Sequence, residues 1–365
     1  MAGSTNPYTD LPPRAFWRTG VAEPGLFGLK DLWASPWVLP SDARFSTYGS
    51  CFAQHISRAL VARKMNWLNG EPAPGRTPPA IAEAFNYGVF SARTGNIYTA
   101  AQLLTHVELA AGTRDPESIE IWPDGPLCRD SLRPVIEPTG FADQTDLQLS
   151  RASMVRGFRR SIAGAEVLVF TLGLTEGWQN AQTGQCYPLC PGTVAGKFDA
   201  GQHRFHNYQY PDIRAALEAA FALMWEINPT LRILLTVSPV PLTATASGQH
   251  VLSATTYSKS TLRAVAGDLA GSDPRIDYFP SYEIIMGAPT RAAFFEPNLR
   301  SVAMPGVEFV MGHFFRGLNT TALAVHGQEP GPADRETAVA AQMAADELVC
   351  EEMTLEKFNA ALCAA

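Results

Sequence analysis

Three short and almost uninterrupted apolar runs constrain the fold of this chain more than any other feature. They occupy residues 166–172, 231–237 and 275–279. Runs of this length without polar alternation are typical of strands buried on both faces, as in a parallel sheet. Helical patterns lie between and after them, one opening at Pro211 and another covering residues 255–269. This alternation predicts an α/β fold, a three-layer α/β/α sandwich with a mostly parallel sheet.

The composition indicates the class of protein and its partners. The chain has 365 residues, of which 46% are hydrophobic and 17% charged, so it can bury a full-sized core. It contains no stretch of about 18 apolar residues and begins without the pattern of a signal peptide. We therefore expect a cytoplasmic protein that does not enter a membrane. The net charge of −7, without a long basic run, argues against nucleic acid as a partner.

The cysteines indicate neither a disulfide framework nor a metal site. Six cysteines are few for this length, so reduced thiols are expected. Cys186 and Cys190 are close in sequence, but no second thiol or histidine pair follows at zinc-finger spacing. Glycine-rich phosphate-binding motifs are absent as well. We expect no metal and no cofactor.

Residues 46–56 place a nucleophile where a strand passes into a helix. A β-prone run ends at Gly49, Ser50 and Cys51. Apolar residues then recur at every fourth position, at Phe52, Ile56 and Leu60. The positive end of the helix dipole and the N–H groups of its first turn would lower the pKa of the Cys51 thiol and can hold an oxyanion. A small buried residue at a tight turn is the other interpretation of Cys51.

Small and polar residues also follow the other predicted strands. They occupy residues 173–178, 238–241 and 280–283. Because active sites of parallel α/β sheets lie at the carboxyl ends of the strands, we expect these turns and residues 49–51 to form one cleft. A purely structural sheet would also need glycines and helix caps at each turn. The prediction of a cleft therefore rests on finding such residues after every strand rather than at any single turn.

The motif Gly-Ser-Cys-Phe-Ala at residues 49–53 resembles the signature for which the GSCFA family is named. Four further blocks resemble that family in the same order, and they lie at residues 171–176, 236–240, 257–259 and 278–284. Together the blocks span about residues 45–315. The family is grouped with the SGNH (GDSL-like) hydrolases, so the resemblance implies an SGNH-hydrolase-like, flavodoxin-like sheet.

This resemblance also implies roles for residues of the cleft. The superfamily nucleophile closes a Gly-Asp-Ser block, which assigns its position to Cys51, with Ser50 as the attacking hydroxyl if Cys51 points into the core. Thr175 would replace an oxyanion-hole amide. A glycine N–H is expected from Gly88 or from Gly95, which precedes Asn96. The other substrate-binding candidates are Gly173, Glu176, Ser258, Lys259, Asn298 and Arg300.

One block departs from the superfamily. SGNH enzymes carry Asp-x-x-His near the carboxyl end, where this chain has residues 298–301 with neither the acid nor the base. A base would have to come from elsewhere. His250, in the polar loop after the second apolar run, is the first candidate, and Glu283 or Glu176 can orient or replace it.

Other polar residues have alternative interpretations. His55 lies one helical turn past Cys51 and is a candidate neighbour of the thiol. His203 and His206 are predicted in a loop before a helix, where a structural role is favoured. Ser258 and Lys259 are expected to cap or line the cleft rather than to form a Ser-Lys dyad.

The ends of the chain differ from its middle. Residues 1–43 are rich in proline and aromatic residues, which predicts an irregular arm packed on the core. Residues 44–316 form the predicted α/β/α domain. Residues 317–365 combine a linker with an amphipathic helical tail. The tail can dock on the core or on a second copy, which leaves a homo-oligomer open.

The expected function is an SGNH-like esterase or O-acyltransferase that acts on a small acyl ester, for example of a glycan, through Cys51 or Ser50. The alternative is a non-catalytic binding or assembly protein that retains the cleft without the acid and the base. A histidine or carboxylate within about 4 Å of the Cys51 sulfur would favour catalysis.

Overall fold

A computed structural model describes residues 6–320, and within this range a parallel sheet is covered on both faces by helices. The strands are β1 (Arg44–Gly49), β2 (Asn66–Trp67), β3 (Ile121–Asp124), β4 (Leu127–Asp130), β5 (Val167–Leu172), β6 (Glu176–Asn180), β7 (Cys186–Tyr187), β8 (His203–Asn207), β9 (Arg232–Val237) and β10 (Ile276–Phe279). The α-helices are α1 (Gly25–Gly28), α2 (Ala53–Ala62), α3 (Pro79–Ala84), α4 (Ala100–Ala111), α5 (Gln144–Gly164), α6 (Tyr210–Ile227), α7 (Val251–Ser272), α8 (Ser281–Met286) and α9 (Met304–Gly317).

The central sheet has the strand order β2-β1-β5-β9-β10, and every pair in it is parallel. The chain therefore starts in the interior of the sheet, moves to one edge and then returns to build the other side. This is the flavodoxin-like order, and the reversal between β1 and β5 is its switch point. Ligands of such sheets bind outside the carboxyl ends of the strands at that point.

The helices form two layers with separate hydrophobic cores. Helices α4, α5, α6 and α7 pack on one face of the sheet, and α2, α8 and α9 pack on the other. Side chains of β5 alternate between the two cores, with Leu168 and Phe170 on the first side and Val167 and Val169 on the second. The predicted three-layer α/β/α sandwich is confirmed.

The predicted main strands are found within a residue of their expected ends. The three apolar runs are β5, β9 and β10, because strands buried on both faces need no polar alternation. The two helical patterns are α6 and α7, and α7 begins four residues before the expected start. His250 caps its amino terminus and accepts a hydrogen bond from the Leu252 N–H at 3.2 Å.

Two small antiparallel sheets have no counterpart in the sequence-based prediction. One is the β3–β4 hairpin and the other has the order β7-β6-β8. His203 and His206 belong to β8, so the loop predicted for them is wrong. Strand β8 pairs with β6 across more than 20 residues of intervening chain, and a local pattern does not reveal such a partner.

The aromatic residues near the end of the predicted arm anchor it to the domain. The Trp33 Nε1 donates to Asp277 at 2.9 Å, and its ring stacks on Phe314. The Trp37 Nε1 donates to the carbonyl of Pro274 at 2.9 Å. The arm's helical turns are short, at Pro13–Ala15, Arg18–Ala22 and Gly25–Gly28. The domain boundaries stay predictions, and most of the predicted linker and tail, with its proposed oligomer contact, lies outside the described residues.

Gly49 should be intolerant of any side chain. Its φ is +134°, and a Cβ there would collide with the backbone of Thr171 on β5. We expect Gly49→Ala to lower the free energy of unfolding by about 2–4 kcal/mol, through backbone strain and overpacking. Urea denaturation measures this, with Gly271→Ala in α7 as the control, since a Cβ there meets no atom within 4 Å. Equal midpoints for the two variants would contradict the close approach.

His106 should make stability depend on pH. Burial lowers its pKa to about 4, and its Nδ1 donates to the Gln102 carbonyl at 2.8 Å. The unfolded chain then binds more protons between pH 6.5 and 4, so the free energy of unfolding falls as pH falls through that window, by about 3 kcal/mol. His106→Asn should flatten this slope in urea titrations at several pH values. Burial also lowers the pKa of His313 to about 4, so part of the pH dependence of the free energy of unfolding remains in this variant. A variant with the wild-type slope would contradict the assignment.

Candidate functional site

The turn after β1 is fastened to its neighbours on both sides. The carbonyl of Gly49 accepts the N–H of Ile97 at 2.8 Å, and the Ser50 N–H donates to the Thr171 carbonyl at 3.1 Å. The Ala53 N–H then donates to the Ser50 carbonyl at 2.8 Å as α2 begins. The turn therefore places the start of a helix at the switch point, and the N–H groups of Gln54 and His55 donate to the carbonyls of Cys51 and Phe52 at 3.3 and 3.2 Å.

Ser50 and Cys51 differ in their exposure. Ser50 is 2% exposed and its Cβ lies against Gly173, so its hydroxyl faces the protein interior. Cys51 is partly exposed and stands at the helix start. Of the two candidate nucleophiles, the thiol is therefore the group that solvent and a substrate can reach.

The chain segment that carries Asn96 is brought to the same edge of the sheet. The residue after Asn96 is the Ile97 that donates to the β1 turn. Its next neighbour, Tyr98, accepts the N–H groups of Gly173 and Leu174 at 3.1 and 2.9 Å. Asn96 is thus tied between the ends of β1 and β5. Gly88 lies at an earlier turn, with φ of +76°, and its role stays a prediction.

Helix α7 supports the exit from β5 with two buried side chains. The Ser258 Oγ accepts the Thr175 N–H at 2.9 Å, and the Lys259 Nζ donates to the Gly173 carbonyl at 2.7 Å. Ser258 and Lys259 are 0% and 1% exposed. Both contacts are made to the backbone that follows β5, and the lining role of Ser258 and Lys259 stays a prediction.

Several hydroxyls at this edge are buried without a hydrogen-bond partner among residues 6–320. They are the Oγ of Ser50 and the Oγ1 atoms of Thr171 and Thr175. A buried hydroxyl that makes no hydrogen bond costs about 1–3 kcal/mol, so such groups are retained mainly where they serve a ligand or a reaction.

Glu176 is a buried carboxylate directly after Thr175. It is 8% exposed and accepts a hydrogen bond from the Thr245 Oγ1 at 2.8 Å, in the loop between β9 and α7. Burial raises the pKa of Glu176, although Thr245 and the Ala246 N–H partly oppose the shift. A raised pKa favours the protonated form of the carboxyl, which is the form that donates a proton.

The two other candidate bases have structural partners. His250 is exposed, and its Nδ1 caps α7. Glu283 forms an ion pair with Arg263 and accepts the Tyr278 hydroxyl at 2.7 Å. Their catalytic roles stay predictions, and Glu176 lies nearer in sequence to the hydroxyl-lined exit from β5.

The residues in place of the Asp-x-x-His block form a compact turn. The Asn298 Oδ1 accepts the N–H groups of Arg300 and Ser301, both at 2.9 Å, and its Nδ2 donates to the Ser301 Oγ at 3.0 Å. Arg300 is 8% exposed. The turn leads into α9, whose last turn carries the Phe315 ring 4.0 Å from the Arg63 guanidinium at the end of α2.

The last turn of α9 therefore lies beside the end of α2. The Asn298 side chain is engaged in hydrogen bonds within its own turn, and the substrate-binding roles of Asn298 and Arg300 stay predictions. His55, the histidine next to the thiol in sequence, is 9% exposed, and its ring lies 5.2 Å from that of Phe52.

Two features of the cleft escaped the sequence analysis. One is the environment of Glu176, which depends on a loop 69 residues away. The other is the β7-β6-β8 sheet, which extends the cleft beyond the exit from β5. The alternation of polar and aromatic residues over 203–207 is the only local signal that could have indicated β8.

Metal-binding and membrane-spanning features were sought in the part of the chain that the structure describes. Among residues 6–320, histidine, cysteine, aspartate and glutamate side chains form no group of three or more that could hold a metal ion. Over the same range, no helix combines the length and the apolar character needed to cross a bilayer.

Fold and site together define an α/β/α protein with a flavodoxin-like strand order and a reachable thiol at the switch point. The family model of the GSCFA family matches residues 44–314, which is most of the chain, so this chain belongs to the GSCFA family. Comparison with curated proteins gave no match.

Cys51 should react with electrophiles faster than Cys190. Both thiols are partly exposed, but burial raises the pKa of Cys190 to about 11, which leaves little thiolate there to react. We expect iodoacetamide at pH 7 to modify Cys51 at least about tenfold faster, measured by peptide mass spectrometry. Cys51→Ala should remove the fast-labelled peptide, and Cys190→Ala should leave it. Equal rates would contradict an activated thiol.

Proposed function

We propose that this protein is an esterase or O-acyltransferase that acts on a small acyl ester of a hydroxylated carrier, such as a glycan, with Cys51 as the nucleophile. The observation that carries the proposal is the position of the partly exposed Cys51 at the switch point, where a helix begins and unpartnered hydroxyls line the neighbouring strand exit. We also propose that it acts in the cytoplasm, whose reducing conditions keep such a thiol reduced.

The strand order supports a relationship to the SGNH hydrolases. In such sheets the residues after the first strand meet those after the third at the switch point. Here these are Cys51 and residues 173–175, which correspond to the nucleophile block and the oxyanion-hole block. The two blocks resemble those of the SGNH hydrolases in their order along the chain and in their position on the sheet. Their individual side chains are chemically different.

The reaction proposed for this site has two halves. The Cys51 thiolate attacks the ester carbonyl carbon, and the resulting oxyanion accepts a hydrogen bond from the Thr175 hydroxyl. The C–O bond breaks, and the leaving alcohol takes a proton from the Glu176 carboxyl. Water or a second alcohol then gives a proton to Glu176 and attacks the thioester, which releases the acyl group and restores the thiolate.

Glu176 is preferred as the acid and base for a physical reason. It lies three residues past Gly173, at most about 11 Å along the chain, and Gly173 touches the Ser50 Cβ position. Burial raises the pKa of Glu176, and this direction favours the protonated form that a proton donor requires. His250 and Glu283 remain alternatives from the sequence.

The second candidate function is a binding or assembly protein without catalysis. The observation that favours it is the turn at Asn298, which holds an amide and a hydroxyl, Ser301, where the superfamily has its acid and base. Neither side chain exchanges protons near neutral pH. In this alternative the cleft binds a ligand and releases it unchanged.

Two measurements distinguish the catalytic function from the binding function. They are the turnover of p-nitrophenyl acetate and the detection of a covalent acyl-enzyme. We expect Cys51→Ala to reduce turnover by about 10³-fold or more, while Cys190→Ala, a control that removes another partly exposed thiol, retains it. Intact-protein mass spectrometry should show one acetyl group on Glu176→Gln, because that variant forms the thioester but deacylates slowly.

Unchanged turnover in Cys51→Ala would overturn the catalytic proposal. Failure of the wild-type protein to turn over or to be acylated by any short acyl ester would favour the binding function instead.

A further inference from the structure

The β7-β6-β8 sheet presents two faces of different character. Paired residues of antiparallel strands lie on the same face, and here Glu176 is opposite Asn207 and Trp178 is opposite Phe205. The other face is directed at the helices, because a Cβ on Gly177 would lie 3.6 Å from Thr99 at the start of α4. The face that carries Trp178 is therefore turned away from the main core.

Three aromatic side chains form a partly exposed surface on that outward face, here termed the aromatic shelf: Trp178, Phe198 and Phe205. The Trp178 ring centroid lies 5.5 Å from that of Phe198 and 5.8 Å from that of Phe205. Phe198 is 44% exposed, and the other two are partly exposed. Both contacts are edge-to-face, and Trp178 also packs against the buried cluster of Trp122, Tyr187 and Ala195, so the rings are held in place by their neighbours.

The shelf ends at a polar site formed by Glu176 and Asn207. The Asn207 Oδ1 is buried and has no hydrogen-bond partner among residues 6–320. The Thr245 hydroxyl closes over Glu176 from the loop after β9, and Thr243 in that loop also has a buried oxygen without a described partner. Oxygen acceptors that lack partners fit a ligand rich in hydroxyl groups.

We propose that the aromatic shelf and the adjoining Glu176–Asn207 pair bind a pyranose ring of a glycan, which is the carrier of the ester that Cys51 attacks. This inference rests on the proposed function and names its substrate class. The C–H face of the sugar stacks on Trp178, and its hydroxyls donate to the Asn207 and Glu176 oxygens.

The dimensions of the chain set an upper limit on the distance from such a sugar to the Cys51 turn. Along β6, Trp178 lies about 7 Å from Glu176, at a rise of about 3.3 Å per residue. Glu176 is three residues from Gly173, at most about 11 Å along the chain, and Gly173 lies against Ser50. A glycan of a few rings that begins on the shelf is long enough to present an esterified ring to Cys51.

The charge of the polar site argues against a phosphorylated ligand. Glu176 and Asn207 contribute oxygen acceptors, and a carboxylate repels phosphate. Sugar hydroxyls are uncharged donors, so the Glu176 carboxylate and the Asn207 Oδ1 can accept hydrogen bonds from them. A sugar satisfies both halves of the site, the apolar shelf and the polar pair.

The test measures sugar binding separately from ester chemistry. Full-length Cys51→Ala protein, which lacks the nucleophile, is titrated with cellotetraose, xylotetraose, chitotetraose and adenosine monophosphate by calorimetry and saturation-transfer NMR. We expect at least one tetrasaccharide to bind. Adding Trp178→Ala should weaken that binding about tenfold, and Trp178→Phe should restore most of it. Trp17→Ala, at an arm residue that is 68% exposed, is the matched control and should bind like the reference.

Asn207→Ala provides a second test that leaves the shelf intact, with an expected loss of about five- to tenfold. Thermal unfolding of each variant shows whether it folds, and the conclusion is drawn from those that do. Binding of no tetrasaccharide, equal binding by Trp178→Ala and the reference, or preference for the nucleotide would overturn the inference. Such a result does not affect the proposal for Cys51, because that proposal is tested with nitrophenyl esters. Conversely, failure of the Cys51 proposal does not change the result of the sugar-binding measurements.

Discussion

The close approach of β1 to β5 at Gly49 is the constraint on which the rest of the structure depends. Because residue 49 has no side chain, its backbone can lie against Thr171, and the hydrogen bonds from Ser50 and Ile97 can close around it. This contact directs the chain into α2 at the switch point of the sheet. It also brings the Cys51 thiol beside residues 173–175, so the geometry of the cleft follows from one backbone contact.

The cleft differs from the remainder of the sheet in how its buried hydroxyls are satisfied. On the α2 and α9 side, Thr236 bonds to Ser281 at 2.5 Å and Thr47 bonds to Ser57 at 2.9 Å. At the switch point, by contrast, the Thr175 hydroxyl is completely buried and has no partner among residues 6–320. Under the proposed function, the hydroxyls clustered at the exit from β5 face the substrate.

An element of the fold could be predicted where a short stretch of sequence is enough to identify it. The main strands β5 and β9 were predictable because burial on both faces leaves an almost uninterrupted apolar run, whereas the edge strand β10 includes Asp277 and is apolar at its other positions. The small sheet was not predictable, since β6 and β8 are short and each is stabilised by a distant partner. For the same reason His203 was placed in a loop although it belongs to a strand. The periodicity of apolar residues indicates which face of a strand or helix is buried, but not which strand or helix it packs against.

The sequence by itself determined the order of strands and helices, the turn that carries Cys51, and the convergence of small polar residues on one edge of the sheet, because each depends on a short stretch of chain. Only the tertiary structure decided which polar groups are buried and what they touch. Ser50 faces Gly173 while Cys51 is reachable, and His250 caps a helix. Burial and hydrogen-bond partners depend on distant segments, as when Thr245 closes over Glu176, and these decide which residues can act on a substrate.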